Sequence, residues 1–254
     1  MAAMAEGQRR ALAEAFGASS SSDDDGEVGY GDGDDHRTLG RERKLTEMIP
    51  VWESICEVNG LWLCREFLSE NEQHWLLSSI RQEGWFNGGS FNQAMRFGEI
   101  PEWAKELAGF VREAVCFSTV EDQPLPSDLL WREPLFDQLI VNVYEPGEGI
   151  CAHVDLMRFD DGIAIVSLES TCVMHFTRSK EESDNKELEE DPSQRVPVLL
   201  TPGSLVLMSG EARYLWKHEI NRKPGFQLQG GKEIQQERRT SVTLRKLRPQ
   251  HNSG

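Results

Sequence analysis

His153 and Asp155 stand two residues apart at the end of the stretch Gln138 to Asp155, QLIVNVYEPGEGICAHVD. In an extended strand the side chains at i and i+2 point to one face, so this pair can grip a single atom together. Imidazole and carboxylate are both metal ligands, and a third such group would complete a site. Of the six histidines, His36 and His251 fall in terminal tails and His74 on the polar side of a predicted helix. His218, about 65 residues downstream of the pair, is the better third ligand, with His175 in reserve. Two histidines and one carboxylate on a β scaffold leave three metal positions open, which suits non-haem Fe(II) and oxygen.

A second set lies in the last predicted strand, Arg239-Thr-Ser-Val-Thr-Leu-Arg245. Period-2 alternation puts Arg239, Ser241, Thr243 and Arg245 on one face and Val242 and Leu244 on the other. Two arginines on one buried face are costly without an anionic partner. A dicarboxylate in a barrel mouth is such a partner, because guanidinium forks match carboxylates bidentately. An exposed edge strand would present the same residues to water; beside a metal triad the anion is the favoured reading.

The elements that must position these residues are short strands. From Phe136 onward, apolar runs punctuated by Gly, Pro or Asp cover 139–141, 150–154, 162–168, 172–176, 196–200, 204–209 and 239–247, with Asn142 and Tyr144 sharing a face. No helical pattern separates them, so the run reads as a sandwich or barrel. Upstream, Val58 to Phe67 reads as a strand, and Ser69 caps a helix through Ile80 with Leu68, Trp75, Leu76 and Ile80 as its apolar stripe. Pro101 opens a second amphipathic helix with Trp103, Leu107, Phe110, Val111 and Val115 at helical spacing. Between them, the glycine-bearing segment Trp85 to Gly98 combines aromatic residues with Arg96. Composition alone favours a surface loop anchored by its own aromatics, although a base-stacking lid would need the same residues.

The net charge of −16 over 254 residues is unevenly spread. Residues 1–40 carry −6 and Glu181 to Asp191 another −6, leaving only −4 for the rest. Acidity usually argues against nucleic acid as a partner, but here it is concentrated in two segments predicted to be solvated. Five scattered cysteines without a CxxC pair suit reduced thiols. No apolar run reaches the ~18 residues of a membrane span, and no secretory h-region opens the chain, so cytoplasm or nucleus is the expected location.

Taken together, N-x-Y-x-P-G, H-x-D, a distal histidine and R-x5-R resemble the AlkB family of Fe(II)/2-oxoglutarate dioxygenases. The match runs through Asn142, Tyr144, Pro146, Gly147, His153, Asp155, His218, Arg239 and Arg245 and spans roughly residues 58–248. Within that family, the run SLVLMSGEARYLWKHEI looks most like eukaryotic homologues that hydroxylate a modified wobble uridine in tRNA. The resemblance implies a fold that is α+β but mainly β: a double-stranded β-helix (jelly roll) with N-terminal supporting helices. It implies Fe(II), 2-oxoglutarate and O2, with His153, Asp155 and His218 on iron. Arg239 and Tyr144 would hold the far carboxylate of 2-oxoglutarate. Asn142 and Arg245 would support its metal-proximal end and Asp155. Ser241 stands where bacterial repair enzymes carry asparagine, and Met157 where they place an acid against the damaged base. That departure speaks against classical base repair and makes Met157 and Arg158 candidates for a different substrate wall, while Arg96 with the aromatic segment around it would hold the nucleic acid.

The resulting expectation is a disordered acidic tail over 1–45, a dioxygenase domain over 46–249 and an acidic loop insertion over 178–195. The domain would act as a monomer, away from membranes, hydroxylating or oxidatively demethylating a modified nucleobase, with RNA and tRNA favoured over DNA. The same chemistry on a protein side chain or small molecule, and a catalytically silent jelly-roll module, are the alternatives.

Overall fold

The structure, a computed structural model, describes residues 50–88, 92–179 and 195–249. The expected tail, most of the 178–195 insertion, and Phe91 lie outside the described residues. Thirteen strands are described: β1 (Trp52–Ser54), β2 (Leu61–Cys64), β3 (Gln93–Phe97), β4 (Gln138–Tyr144), β5 (Ile150–His153), β6 (Ile163–Leu168), β7 (Cys172–Arg178), β8 (Arg195–Leu200), β9 (Leu205–Met208), β10 (Trp216–Ile220), β11 (Leu228–Gln229), β12 (Lys232–Glu233) and β13 (Arg239–Arg245). The α-helices among the described residues are α1 (Glu70–Gln82), α2 (Glu102–Cys116), α3 (Ser127–Leu130) and α4 (Glu211–Tyr214).

One antiparallel sheet runs β1-β2-β9-β6-β13-β4-β3 and a second runs β5-β10-β7-β8. Side-chain alternation builds two cores from the larger sheet. On one face Leu139, Val141, Val166, Leu207, Val242 and Leu244 pack against Leu76 and Ile80 of α1 and Trp103, Leu107 and Val111 of α2. On the other face Leu61, Leu63, Ile163, Ile165, Val206 and Met208 meet Met174, Phe176, Val198, Leu200 and Trp216 of the smaller sheet. The architecture is a double-stranded β-helix with helices backing its larger sheet.

Both predicted helices form where their signals lie. Ser69 accepts from the Glu72 amide while Glu72 bonds back to the Ser69 amide, closing a capping box on α1. α2 begins directly after Pro101. The strand expected over Val58–Phe67 is shorter, and β1 pairs with it from a separate segment. Five of the described strands escape the sequence reading: β1, β3, β10 and the two-residue β11 and β12. β3 lies inside the expected loop, at the sheet edge, and β10 is a five-residue run with alternating polar residues. Among the described residues, no helix is long and apolar enough to cross a membrane.

β13 is central rather than exposed. It pairs with β4 on one side and β6 on the other, and all seven of its residues are buried. Its arginines therefore face the space between the sheets, and the solvated-edge alternative does not hold.

Candidate metal and cosubstrate site

The metal-ligand types converge because β5 and β10 are neighbours in register, with His153 opposite His218. Two glycines make that pairing possible. Gly147 takes φ 85° at the turn closed by the Glu148 amide on the Glu145 carbonyl, a conformation with little steric cost only for glycine. At Gly149 a Cβ would collide with the Ile220 carbonyl, so the β5–β10 approach requires its absence.

The two imidazole centroids lie 4.3 Å apart, and the ligand atoms of His153, Asp155 and His218 all fall within 4.8 Å of one another. Strand β5 ends at His153, so Asp155 is delivered by the segment just after it rather than by the strand itself. Arg245 Nη2 fixes the Asp155 carboxylate at 2.5 Å from Oδ1, and Gln138 Oε1 accepts from Arg245 Nη1 at 3.3 Å. The second carboxylate oxygen, Oδ2, is buried without a hydrogen-bond partner and stands 3.8 Å from His218 Nε2. His153 Nδ1 lies 2.8 Å from the Cys151 carbonyl, which favours the Nδ1–H tautomer and leaves the lone pair on Nε2.

The protonation states suit a cation. Burial alone would raise the Asp155 carboxyl, but Arg245, His218 and His153 outweigh it and hold it at about 2. Burial, reinforced by the neighbouring His153, lowers His218 to about 3, so it is neutral at physiological pH. A carboxylate and a neutral imidazole are the forms that bind metal. His175, the reserve ligand, sits opposite Glu219 and edge-on to Phe226, whereas its neighbour in sequence, Phe176, faces His218. Strand alternation therefore turns His175 away and brings His218, not His175, to the His153–Asp155 pair.

Beside the triad lies a cationic cradle. Arg239 is only 3% exposed and has no carboxylate partner among the described residues. Its Nη2 donates to Ser167 Oγ at 2.9 Å, its guanidinium lies 5.4 Å from the Tyr144 ring centroid, and its Nε and Nη1 have no partner. Burial raises the Tyr144 hydroxyl pKa against the opposing pull of Arg239, so the phenol stays protonated and able to donate. Asn142 and Ser241 are register partners between Arg239 and Arg245, and Asn142 Oδ1 accepts from Gln93 at 2.7 Å. An orphaned carboxylate oxygen and an unpaired guanidinium on the same inner surface fit a divalent cation and a carboxylate-bearing chelator.

The substrate candidates separate. Met157 and Arg158 are exposed just beyond Asp155, with the Arg158 guanidinium 5.2 Å from the Phe97 ring centroid. Arg96 lies on the opposite face of β3, its guanidinium 4.4 Å from the Trp85 ring centroid on the helix side, so the structure does not bring it to the triad. In its place Gln93, Met95 and Phe97 share the inner face, opposite Asn142, Ile140 and Gln138. Gln138 was legible from the alternation that picks out Asn142 and Tyr144. Phe97 belongs to the aromatic-bearing segment Trp85 to Gly98 and only strand parity aims it at the site, whereas Ser167 and the buried Arg213 carry no local signal.

The model of the 2OG-Fe(II) oxygenase superfamily matches residues 60–245. A protein of Arabidopsis thaliana named "Alkylated DNA repair protein ALKBH8 homolog" is 27% identical over 235 residues, covering 83% of this chain and 65% of its own length. The Mus musculus protein named "tRNA (carboxymethyluridine(34)-5-O)-methyltransferase ALKBH8" is 30% identical over 218 residues, covering 74% of this chain and 30% of its own. The chain thus spans just under two thirds of the first relative and under a third of the second. A solved structure described as "The structure of OsALKBH1" covers 74% of this chain and 96% of that one at 17% identity, with a TM-score of 0.49. The chain belongs to the 2OG-Fe(II) oxygenase superfamily, as an AlkB-like dioxygenase that uses Fe(II), 2-oxoglutarate and O2.

Proposed function

We propose that this dioxygenase hydroxylates or oxidatively demethylates a modified nucleobase, in RNA and particularly tRNA rather than in DNA. The observation that carries this reading is the Phe97–Arg158 pair with Met157 beside it. Phe97 is 46% and Met157 57% exposed, and Arg158 has no ion-pair partner among the described residues. Phe97 faces Gln138, which bonds Arg245, which in turn holds Asp155, so an aromatic face and a guanidinium plane border the triad. Such groups stack on an unpaired base and neutralise its backbone. The name of the mouse relative places that protein's action on a carboxymethyluridine of tRNA, which favours the same substrate class here.

In this reading His153, Asp155 and His218 hold the iron. Arg239 and Tyr144 hold the far carboxylate of 2-oxoglutarate, Ser241 lines the cradle between them, and Asn142 and Arg245 brace the metal-proximal end. The bound iron supplies the oxidation, in which 2-oxoglutarate and O2 yield succinate and CO2 while one oxygen atom enters a substrate C–H bond. The protein orients the carboxylates, keeps Asp155 ionised and His218 neutral, and presents the base edge to the open side at His153. A hydroxymethyl group formed on a base nitrogen collapses by breaking its C–N bond, releasing formaldehyde while the hydroxyl proton passes to the nitrogen, so demethylation and hydroxylation share the same oxidative step.

Two measurements test it. Succinate formation from 2-oxoglutarate with Fe(II) is expected for the wild type and absent for His153→Ala; equal rates would favour a silent module. Mass spectrometry of tRNA nucleosides before and after treatment is expected to show a hydroxylated uridine or a lost methyl group. An unchanged nucleoside profile would move the substrate to a protein side chain or a small molecule.

A further inference from the structure

Between β5 and β6, residues 154–162 carry Asp155, Met157 and Arg158 with little regular structure of their own. Their backbone carbonyls are instead gathered by two arginines from elsewhere in the chain. Arg213, on α4, donates from Nη1 to the Asp155 carbonyl at 2.9 Å and from Nη2 to those of Leu156 at 2.7 Å and Phe159 at 3.0 Å. Arg132 takes the far end, donating to the carbonyls of Asp161 at 2.6 Å and Gly162 at 3.1 Å. The two clamps differ in what they touch. Arg213 bonds the backbone of a metal ligand; Arg132 holds the far side of the loop.

Arg213 is 1% exposed and has no carboxylate partner within ion-pair distance among the described residues. A guanidinium buried on carbonyls and one ring, with no carboxylate, is an expensive device compared with an apolar side chain of the same volume. What it provides is geometry. Its planar fork spans three carbonyls at fixed angles, which a lysine ammonium cannot do. It also lies five residues before His218, on the helix that leads into β10, so one side chain ties the segment bearing the second ligand to the element bearing the third. Met157 and Arg158 fall between the clamped carbonyls of Leu156 and Phe159, so the same bonds set the substrate wall.

We propose that Arg213 is a positioning residue: it sets the distance and angle of Asp155 relative to His218 and thereby tunes metal affinity. The proposal rests on His153, Asp155 and His218 being the metal ligands. The test uses the full chain and Mn(II) as a redox-inert probe, with affinity measured by calorimetric titration and thermal melting followed in the same samples. Loss of a residue that orients a ligand from behind weakens metal binding by roughly 10–100-fold. Arg213→Lys is expected to fall in that range. Arg132→Lys is expected to lower the melting temperature while leaving Mn(II) affinity unchanged. His153→Ala should abolish binding; if it does not, the metal assignment fails and the proposal with it. If His153→Ala abolishes binding while Arg213→Lys binds like the wild type, or if the Arg132 variant weakens binding equally, only the role of Arg213 is overturned. Should Arg213→Lys lack a cooperative melt, Tyr214→Leu provides the readout. It removes the ring centred 4.8 Å from the guanidinium, which loosens the seating of the fork on its three carbonyls, and a smaller loss of affinity in the same direction is expected. An unchanged affinity in that variant overturns the proposal.

Discussion

Replacing Arg239 by methionine should do opposite things to the empty and the loaded protein. In the empty protein the guanidinium is buried with two nitrogens unpaired, and its gains are one bond to Ser167 and a position near the Tyr144 ring. Those gains amount to about 1.5–3 kcal/mol for the hydrogen bond from a charged donor and about 2 kcal/mol for the desolvated ring contact. Burying a lone guanidinium costs several kcal/mol in desolvation, which an apolar side chain of similar volume does not incur and which offsets those gains. The stability of Arg239→Met without ligand should therefore match the wild type or exceed it slightly. With 2-oxoglutarate the sign reverses. Removing one partner of a buried, hydrogen-bonded charge pair costs about 2–5 kcal/mol, and 3 kcal/mol weakens binding by about 150-fold. At a ligand concentration of about 100 times the wild-type Kd, the wild type gains about 2.7 kcal/mol of stability and the variant only about 0.3. In a domain of this size that is a thermal shift of roughly 5–11 °C reduced to about 1 °C. The assay is differential scanning fluorimetry with Mn(II), with and without 2-oxoglutarate, together with the KM for 2-oxoglutarate in succinate formation. A variant that melts well below the wild type without ligand, yet keeps its full shift with 2-oxoglutarate, would show that Arg239 is a structural residue and refute the cradle.

Gly149→Ala should lower stability by about 1–3 kcal/mol and lose metal affinity together, because its Cβ must displace the Ile220 carbonyl and with it the strand carrying His218; melting and Mn(II) titration read both. Phe97→Ala should raise the KM for RNA by roughly 5–150-fold, the equivalent of the ~1–3 kcal/mol of one base stack, while substrate-independent 2-oxoglutarate turnover stays constant. A change confined to turnover would place Phe97 outside the substrate path. Burial, and then Arg195, lowers the pKa of His175. The unfolded chain therefore binds this proton more readily than the folded one, and stability falls as pH drops below about 6.5 towards the lower folded value. His175→Gln should reduce that slope in the urea-denaturation pH profile, leaving the part contributed by His218, and an unchanged slope would assign it to other groups.

Much of this protein is determined by short-range pattern. A capping box at Ser69, a proline at the start of α2 and apolar residues at 3.6-residue spacing define helices wherever they are placed, because the relevant contacts lie within one or two turns. Alternation along Arg239–Arg245 likewise assigns faces before any partner strand is known, and the ligand types can be read as chemistry. What the chain alone leaves open is pairing. His175 and His218 are both histidines on short strands, and only the register of β10 with β5, together with the parity of β7, selects one of them. Arg96 and Phe97 are adjacent residues in a segment that reads as a loop; as an edge strand it sends one to the helices and the other to the site. Arg213 lies in the run SLVLMSGEARYLWKHEI, whose resemblance assigns it no role, and the three carbonyls it bonds lie more than fifty residues away. Tertiary structure decided these because strand register and buried-polar satisfaction depend on groups distant in sequence, and no local pattern encodes which distant group will be opposite.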